Sequence, residues 1–330
     1  FNTVLYSGSS SAVNVTGVGF QPDWVWLKNR SAANRHALFD SSRGVTKRLA
    51  SDKNEAEVAD ADTLTAFGSD GFSVGADSGE YGSNKNGDSF VSWNWKANGG
   101  TTVTNEDGSI DSTVQANTTS GFSIVTATSP SSGTWSVGHG LSKKPDMIIQ
   151  KYLASNSRWT VWHNTLTSGQ YLGLNETNAI ASSGTPFNFN ITDSVIGGNA
   201  NYDATSTAVV YYVFHDVEGY SKFGGYSGNG NADGAFVFTG FRPAWVMVKR
   251  TDSANNWVIN DTTRATFNEI TGNSSTLYAD TNNKESDLST DVDFLSNGFK
   301  AYTTGGHRNA SGTYIYMAFA EAPFKYANAR

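Results

Sequence analysis

One short motif occurs three times in this chain, and its first copy reads Val18-Gly19-Phe20-Gln21-Pro22-Asp23-Trp24-Val25-Trp26-Leu27-Lys28. The second copy runs from Leu141 to Lys151 around Pro145, and the third runs from Thr239 to Lys249 around Pro243. Proline fixes φ and has no N–H, so it suits the position just before a strand. The apolar run after each proline predicts a buried strand that ends at a solvated lysine.

The three copies also match at their C-terminal ends, where each finishes on an apolar and aromatic segment. These segments are Phe90–Trp95, Val209–Phe214 and Tyr314–Phe319. In two copies the dipeptides Asp70-Gly71 and Asn297-Gly298 predict tight turns before another strand. Short strands separated by Gly, Asn, Asp and Ser predict an all-β fold of three tandem antiparallel β-sandwiches of the jelly-roll or lectin type.

The positions of the motif predict three repeats and one connector. We call residues 1–98 the first repeat, 99–120 the connector, 121–219 the second repeat and 220–330 the third repeat. The connector is polar and rich in small residues, so we expect it to be flexible or to lie on a neighbouring repeat. The chain has 330 residues, whereas single cores stop growing near ~250 residues. We therefore expect separate β-sandwiches that follow one another like beads on a string.

Composition argues against several classes of function. The formal net charge is −7 and the Lys and Arg residues are scattered, so we do not expect the protein to bind nucleic acid. The chain has no cysteine, so it has neither disulfides nor thiolate metal sites. No apolar run reaches the ~18–20 residues of a membrane span, so we predict no membrane insertion. Because the chain begins at Phe1 inside the first predicted strand, we expect further N-terminal parts in a longer parent protein.

The titratable residues show no pattern that predicts catalysis. The five histidines neither recur at one position of the three repeats nor pair at metal-ligand spacing. The acidic segment His215-Asp216-Val217-Glu218 is interpreted as the solvated end of a strand, although alternation would place its two carboxylates on one face. Most other carboxylates lie in turn-forming stretches. The sequence therefore predicts a protein that is not an enzyme, with no cofactor, no metal and no catalytic residue.

Aromatic side chains are the main candidates for binding, because sugar-binding surfaces stack pyranose rings on exposed Trp or Tyr. Trp24 and Trp26 share a face of one strand, as do Trp93 and Trp95, and both pairs are expected in the core. Trp135 and Tyr202 lie in predicted loops and are the candidate surface aromatics.

Several longer stretches resemble the tandem repeats of bacteriophage tail and virion structural proteins, a family whose domain has no assigned function. The stretches are Gly108–Val125, Val137–Leu141, Glu218–Gly224 and Tyr314–Arg330, and the resemblance covers essentially the whole chain. It implies a non-enzymatic virion structural protein on the particle surface or tail, such as a tail fibre or surface fibre. Its implied partners are other virion proteins, copies of itself in a homo-oligomer such as a trimer, and a host cell-surface glycan.

Two alternatives remain open at the level of sequence. One is a carbohydrate-binding or carbohydrate-degrading β-sandwich protein with an aromatic cleft. The other is a decoration protein that clamps capsid subunits. Since the repeats share strand starts and core positions, we expect any binding specificity in the loops where they differ.

Overall fold

The fold is all-β, as the composition and the turn pattern predict. The computed structural model describes residues 1–167, 169–182, 190–199, 206–265, 274–288 and 292–322. Within these residues no α-helix occurs and every pair of neighbouring strands is antiparallel. The strands form several separate sheets that pack as β-sandwiches.

The first repeat has a large and a small sheet. Its strands are β1 (Asn2–Ser7), β2 (Val13–Thr16), β3 (Trp24–Asn29), β4 (Ala37–Asp40), β5 (Lys47–Arg48), β6 (Val58–Ala59), β7 (Leu64–Gly68), β8 (Gly71–Val74) and β9 (Ser89–Trp95). The large sheet has the order β1-β9-β3-β4 and the small sheet the order β2-β8-β7, while β5 pairs with β6. The predicted turn at Asp70-Gly71 joins β7 to β8.

The connector and the second repeat together form the next sheets. Their strands are β10 (Val103–Asn105), β11 (Ser112–Asn117), β12 (Phe122–Thr128), β13 (Thr134–Gly138), β14 (Met147–Tyr152), β15 (Thr160–His163), β16 (Leu172–Gly173), β17 (Val195–Asn199) and β18 (Ala208–Phe214). The large sheet has the order β10-β11-β12-β18-β14-β15-β16, and β13 pairs with β17. The connector therefore contributes two strands that extend the sheet of the second repeat.

Hydrogen bonds hold the connector on the first repeat, so the second of its two expected arrangements is the one present and the flexible alternative is wrong. The buried carboxylate of Asp23 accepts the backbone N–H of Ala97 at 2.7 Å, of Gly99 at 2.9 Å and of Gly100 at 2.8 Å. Gln115, also buried, donates its amide to the hydroxyl oxygen of Ser41 at 3.0 Å. Buried charge-assisted hydrogen bonds of this kind are the stronger ones in proteins, and they join the connector to the first repeat.

The third repeat again has a large and a small sheet. Its strands are β19 (Ser221–Gly228), β20 (Phe236–Phe238), β21 (Pro243–Arg250), β22 (Val258–Asp261), β23 (Ser274–Tyr278), β24 (Ser286–Leu288), β25 (Val292–Leu295), β26 (Gly298–Ala301) and β27 (Gly312–Ala320). The sheets have the orders β19-β27-β21-β22-β23-β24 and β20-β26-β25.

The same strand order lies at the centre of all three large sheets. In each repeat the last strand lies between the first strand and the strand after the motif proline. The strand after the motif proline pairs on its other side with the next strand along the chain. The orders are β1-β9-β3-β4, β12-β18-β14-β15 and β19-β27-β21-β22. The register fixes equivalent positions, because Trp24 lies opposite Asp40, Met147 opposite His163 and Trp245 opposite Asp261.

The strands after the motif prolines are buried on both faces, which explains their unbroken apolar runs. In β3, Val25 and Leu27 pack in a core that belongs to the first repeat alone. Trp24 and Trp26 point to the opposite face and are fully buried as well. The second and third repeats each have their own core of the same kind.

The opposite faces of the three large sheets meet in one shared core, so the beads-on-a-string arrangement is wrong. This core contains Trp24 and Trp95 from the first repeat, Tyr212 from the second, and Trp245 and Phe319 from the third. The rings of Trp24 and Tyr212 stack at 4.3 Å between centroids, and those of Trp95 and Trp245 meet edge to face at 5.8 Å. Aromatic pairs in these geometries add to the hydrophobic stabilisation of burial. The predicted core tryptophans therefore join repeats to one another.

A ring of hydrogen bonds closes the three repeats around this core. Trp159 Nε1–H of the second repeat donates to the carbonyl of Ala50 in the first at 2.7 Å, and Trp257 Nε1–H of the third donates to Gly173 in the second at 2.7 Å. His36 holds the equivalent position in the first repeat, and its Nε2 bonds the carbonyl of Tyr278 in the third at 2.9 Å. Each repeat therefore contacts the next in a cycle.

His36 takes this place as a neutral ring. Trp26 Nε1–H donates to His36 Nδ1 at 2.7 Å, which leaves the ring proton on Nε2, the atom that donates to Tyr278. Burial and the nearby cation of Lys28 hold the pKa of His36 well below its usual value. The neutral form is the one this contact requires, because a protonated ring would have no acceptor for Trp26.

The lysine that ends each motif is buried, which corrects the prediction of a solvated residue. Lys28 is 1% exposed, and Lys151 and Lys249 are fully buried. Each donates to a carbonyl of its own repeat six residues later, namely Asn34, Ser157 and Asn255. Each also donates to a carbonyl of another repeat, namely Asn282, Asn54 and Thr177. The apolar run signals a strand, but it does not show that a loop of another repeat covers the end of that strand.

Candidate functional site

The first candidate aromatic, Trp135, is buried and cannot stack on a ligand at the surface. Its side chain is 3% exposed and packs in the core of the second repeat, where its ring lies 6.3 Å from that of Tyr211. The segment predicted as a loop is strand β13, whose alternation points Trp135 and Val137 inward together. The small residues Ser, Gly and Thr around Trp135 suggested a loop and caused the error.

The second candidate, Tyr202, lies outside the described residues.

The sequence predicts that His139 hydrogen-bonds the backbone, and it does so. Its Nε2 lies 3.2 Å from the carbonyl oxygen of Thr192, and its Nδ1 lies 3.3 Å from the backbone nitrogen of Leu141.

The acidic segment after β18 forms a tight turn between the second and third repeats. The N–H of Asp216 donates to the carboxylate of Asp146 at 2.7 Å, and its own carboxylate accepts the N–H of Phe223 at 2.7 Å and pairs with Lys222. Burial raises the pKa of Asp216, while the hydrogen bond from Lys222 opposes that rise. Asp216 is half-buried, so the interpretation as a solvated strand end holds only for Glu218, which is exposed.

Two adjoining cavities open on either side of this turn. One has a volume of about 470 Å³ and the other of about 430 Å³, and both are lined by Lys143 and Asp216. We call them together the junction groove. Its other lining residues are Glu218, Gly219, Ser221, Lys222, Phe238, Thr239 and Gly240 on one side and Lys144, Pro145, Asp146, Trp162, Asn164 and Asp193 on the other. The groove joins charged groups of both signs to aromatic surface, and its volume is typical of small-ligand sites.

Phe238 is the most exposed large apolar side chain among the described residues, at 64%. It lies on β20, an edge strand of the small sheet of the third repeat. Phe236 is 47% exposed and points the same way, whereas Val237 between them is buried. Phe238 lines the junction groove and Phe236 does not. An exposed ring beside a polar groove is typical of a binding surface.

The sequence contained a signal for Phe238 that our prediction missed. Phe236-Val237-Phe238 alternates as a half-buried strand does, and one face of that strand carries two phenylalanines.

Two carboxyl groups with raised pKa values, Asp280 and Asp52, serve the framework. Burial raises the pKa of Asp280 to about 6, and its carboxylate accepts the N–H of Trp257 at 2.9 Å. Burial also raises the pKa of Asp52, which accepts the N–H of His36 at 3.3 Å. In the second repeat Asn175 accepts the N–H of Trp159 at 2.9 Å. An amide replaces the acid at an equivalent position, so this position needs an acceptor and no ionisable group.

The chain belongs to the family described as domain of unknown function DUF7483, whose model matches residues 1–323. One family model thus spans all three repeats. No curated protein and no solved structure matches the chain. Among the described residues, none forms a helix long and apolar enough to cross a membrane.

Proposed function

We propose that this protein is a non-enzymatic structural and attachment module of a virion, carried on the particle surface or on a tail fibre or other appendage. Its three repeats are three tandem β-sandwich domains fused into one body, and its junction groove contacts a host cell-surface glycan. Other virion proteins and further copies of the chain are its assembly partners. The resemblance to phage tail and virion repeats supports the location, and the groove supports the contact.

The observation that carries the attachment role is Phe238 at the mouth of the junction groove. Its phenyl ring is 64% exposed and lines a groove that also carries charged groups, so it offers an apolar surface to a ligand in that groove. Sugar rings have apolar C–H faces, and their hydroxyls suit the mixed carboxylates and lysines along the groove. Asp216 is the groove carboxyl with a raised pKa, and its carboxylate is already bonded to the N–H of Phe223 and paired with Lys222, which favours binding over hydrolysis.

The Phe238→Ala variant tests this proposal, with Phe236→Ala as its matched control. Both residues are exposed phenylalanines on β20, but only Phe238 lines the groove. In a glycan array or cell-binding assay, we expect Phe238→Ala to weaken binding about tenfold or more, since loss of a central aromatic contact costs more than ~1 kcal/mol. Phe236→Ala should bind nearly as the parent does. Equal binding by both variants contradicts a contact at the groove, and release of reducing sugar would contradict a non-enzymatic role.

Immunogold electron microscopy of purified particles tests the location. Antibody against this chain should label tails or surface fibres. Label spread evenly over the capsid would favour a decoration protein, and particles without label would contradict the virion assignment.

A further inference from the structure

The three contacts between repeats are built on the same positions, and two of them share an ionic network that the other lacks. Between the first and second repeats, Arg43 Nε bonds Asp40 at 2.6 Å and its Nη1 bonds Glu57 at 2.8 Å. The hydroxyl of Tyr212, from the second repeat, donates to Asp40 at 2.7 Å. The Asp–Arg pair is almost fully shielded from water.

The contact between the third and first repeats reproduces this network residue by residue. Arg264 Nε bonds Asp261 at 2.6 Å and its Nη1 bonds Glu285 at 3.2 Å. Here Trp93 Nε1–H supplies the hydrogen bond to Asp261, at 2.9 Å. The sequences Asp40-Ser41-Ser42-Arg43 and Asp261-Thr262-Thr263-Arg264 show the shared motif directly.

The contact between the second and third repeats has lost the network. The strand register places His163 at the position of the Asp, three residues before Leu166 at that of the Arg. Ile180 replaces the Glu, because its N–H donates to the carbonyl of Thr251 at 2.9 Å, just as the N–H of Glu57 donates to Leu153 at 2.8 Å. Met317 replaces the aromatic donor. Every member of the ionic set has been replaced.

A cavity of about 430 Å³ lies where the ion pair is missing. Leu166 and Ile180 line it from the second repeat, and Gly225, Ser227, Thr313 and Ile315 line it from two neighbouring strands of the third. Gly225 adds to the space, because Leu5 and Thr126 hold the equivalent strand positions in the other repeats. We call this the interface cavity.

The lining of the interface cavity is uncharged and carries several hydroxyls. Thr165, Ser227 and Thr313 supply these hydroxyls beside the aliphatic side chains, whereas the buried hydroxyl of Thr251 donates to the carbonyl of Thr313 at 3.0 Å. Thr251 and Thr313 lie 2.6 Å apart through their Oγ1 atoms. An uncharged ligand suits such a lining, because none of the described residues that line the cavity has a charged side chain to pair with a charged ligand. Hydroxyls beside aliphatic surface match a ligand that presents hydroxyls on its edges and C–H bonds on its face.

We propose that the interface cavity binds a neutral sugar unit, such as one or two hexose residues of a glycan. The site is separate from the junction groove, so it stands independently of the attachment role of Phe238. At the contact between the second and third repeats, this binding site lies where the other two contacts have their ion network.

The test is ligand-observed NMR on the full chain, with maltose, lactose and cellobiose as neutral probes and glucuronate as a charged comparison. Ser227→Phe fills the cavity, and Ser7→Phe is its matched control, since Ser7 is exposed at the equivalent position of the first repeat. We expect at least one neutral probe to bind in preference to glucuronate. Its dissociation constant should rise at least tenfold in Ser227→Phe and stay unchanged in Ser7→Phe and in Phe238→Ala.

A second variant, Ser227→Ala, removes an exposed lining hydroxyl with little change in side-chain volume. It should weaken the same probe about fivefold, since one hydrogen bond is worth ~1 kcal/mol, and it keeps the test valid if Ser227→Phe does not fold. Absence of binding by every neutral probe would overturn the proposal. Equal affinity in Ser227→Phe and Ser7→Phe would overturn it as well, and loss of the probe in Phe238→Ala alone would assign the binding to the junction groove.

Discussion

Replacing Arg43 by leucine is expected to lower the free energy of unfolding by about 3–5 kcal/mol, the usual cost of removing one partner of a buried ion pair. Asp40 is fully buried and would lose its guanidinium partner, while Glu57 would lose a bond of 2.8 Å. Chemical denaturation at neutral pH measures this loss. Arg242→Leu is the control, because its ion pair with Glu321 is exposed and should be worth less than ~1 kcal/mol.

Further substitutions at the same contact should restore the stability that Arg43→Leu loses. The combined variant Asp40→His, Arg43→Leu, Glu57→Ile and Tyr212→Met copies the residues found between the second and third repeats, namely His163, Leu166, Ile180 and Met317. Replacing a whole buried ionic network by packed apolar groups is often neutral, so we expect the combined variant to recover to within about 1–2 kcal/mol of the parent. A combined variant less stable than Arg43→Leu would show that the three contacts are not equivalent.

Lys28→Met is the second variant with a large expected effect. Lys28 Nζ donates to three carbonyls, those of Asn29 at 3.0 Å, Asn34 at 2.8 Å and Asn282 of the third repeat at 3.2 Å. Methionine fills the space but leaves these acceptors without their donor. We expect a loss of about 3 kcal/mol at pH 7.5, against less than ~0.5 kcal/mol for Lys85→Met at an exposed site.

The pH dependence of Lys28→Met gives an independent check. Burial lowers the pKa of Lys28 from 10.5 to about 8. Between these two values the unfolded chain holds a proton that the folded chain has released, so the free energy of unfolding rises with pH. For one lysine the rise up to pH 9.5 is about 2 kcal/mol. The gap between parent and Lys28→Met should therefore widen from pH 7.5 to 9.5, and a constant gap would contradict the burial of this lysine.

The sequence predicts the strands of this protein well because their signals are local. Pro22, Pro145 and Pro243 mark strand starts, and the apolar runs after them form β3, β14 and β21. The sequence does not say what covers each face of a strand. The sequence predicts that Trp24 and Trp26 are core residues, but their spacing does not distinguish the core of one repeat from a core shared by three.

The residues that form the contacts between repeats occur at matching positions of the repeated motif. A lysine ends all three motifs, and the pattern Asp-x-x-Arg follows two of them. A lysine at the end of an apolar strand could equally be exposed to solvent or be buried and bonded to backbone carbonyls. Only the packing of the sheets decides between these two, as it also decides that Trp135 points inward and Phe238 outward.

Differential scanning calorimetry of the whole chain tests most directly whether three repeats share one core. If Trp24, Tyr212 and Trp245 belong to a single core, then no repeat can unfold without exposing the other two. We expect one transition whose van't Hoff enthalpy equals the calorimetric enthalpy, the mark of a single cooperative unit. Three separate transitions, or a van't Hoff enthalpy near one third of the calorimetric value, would show independent repeats and contradict the shared core.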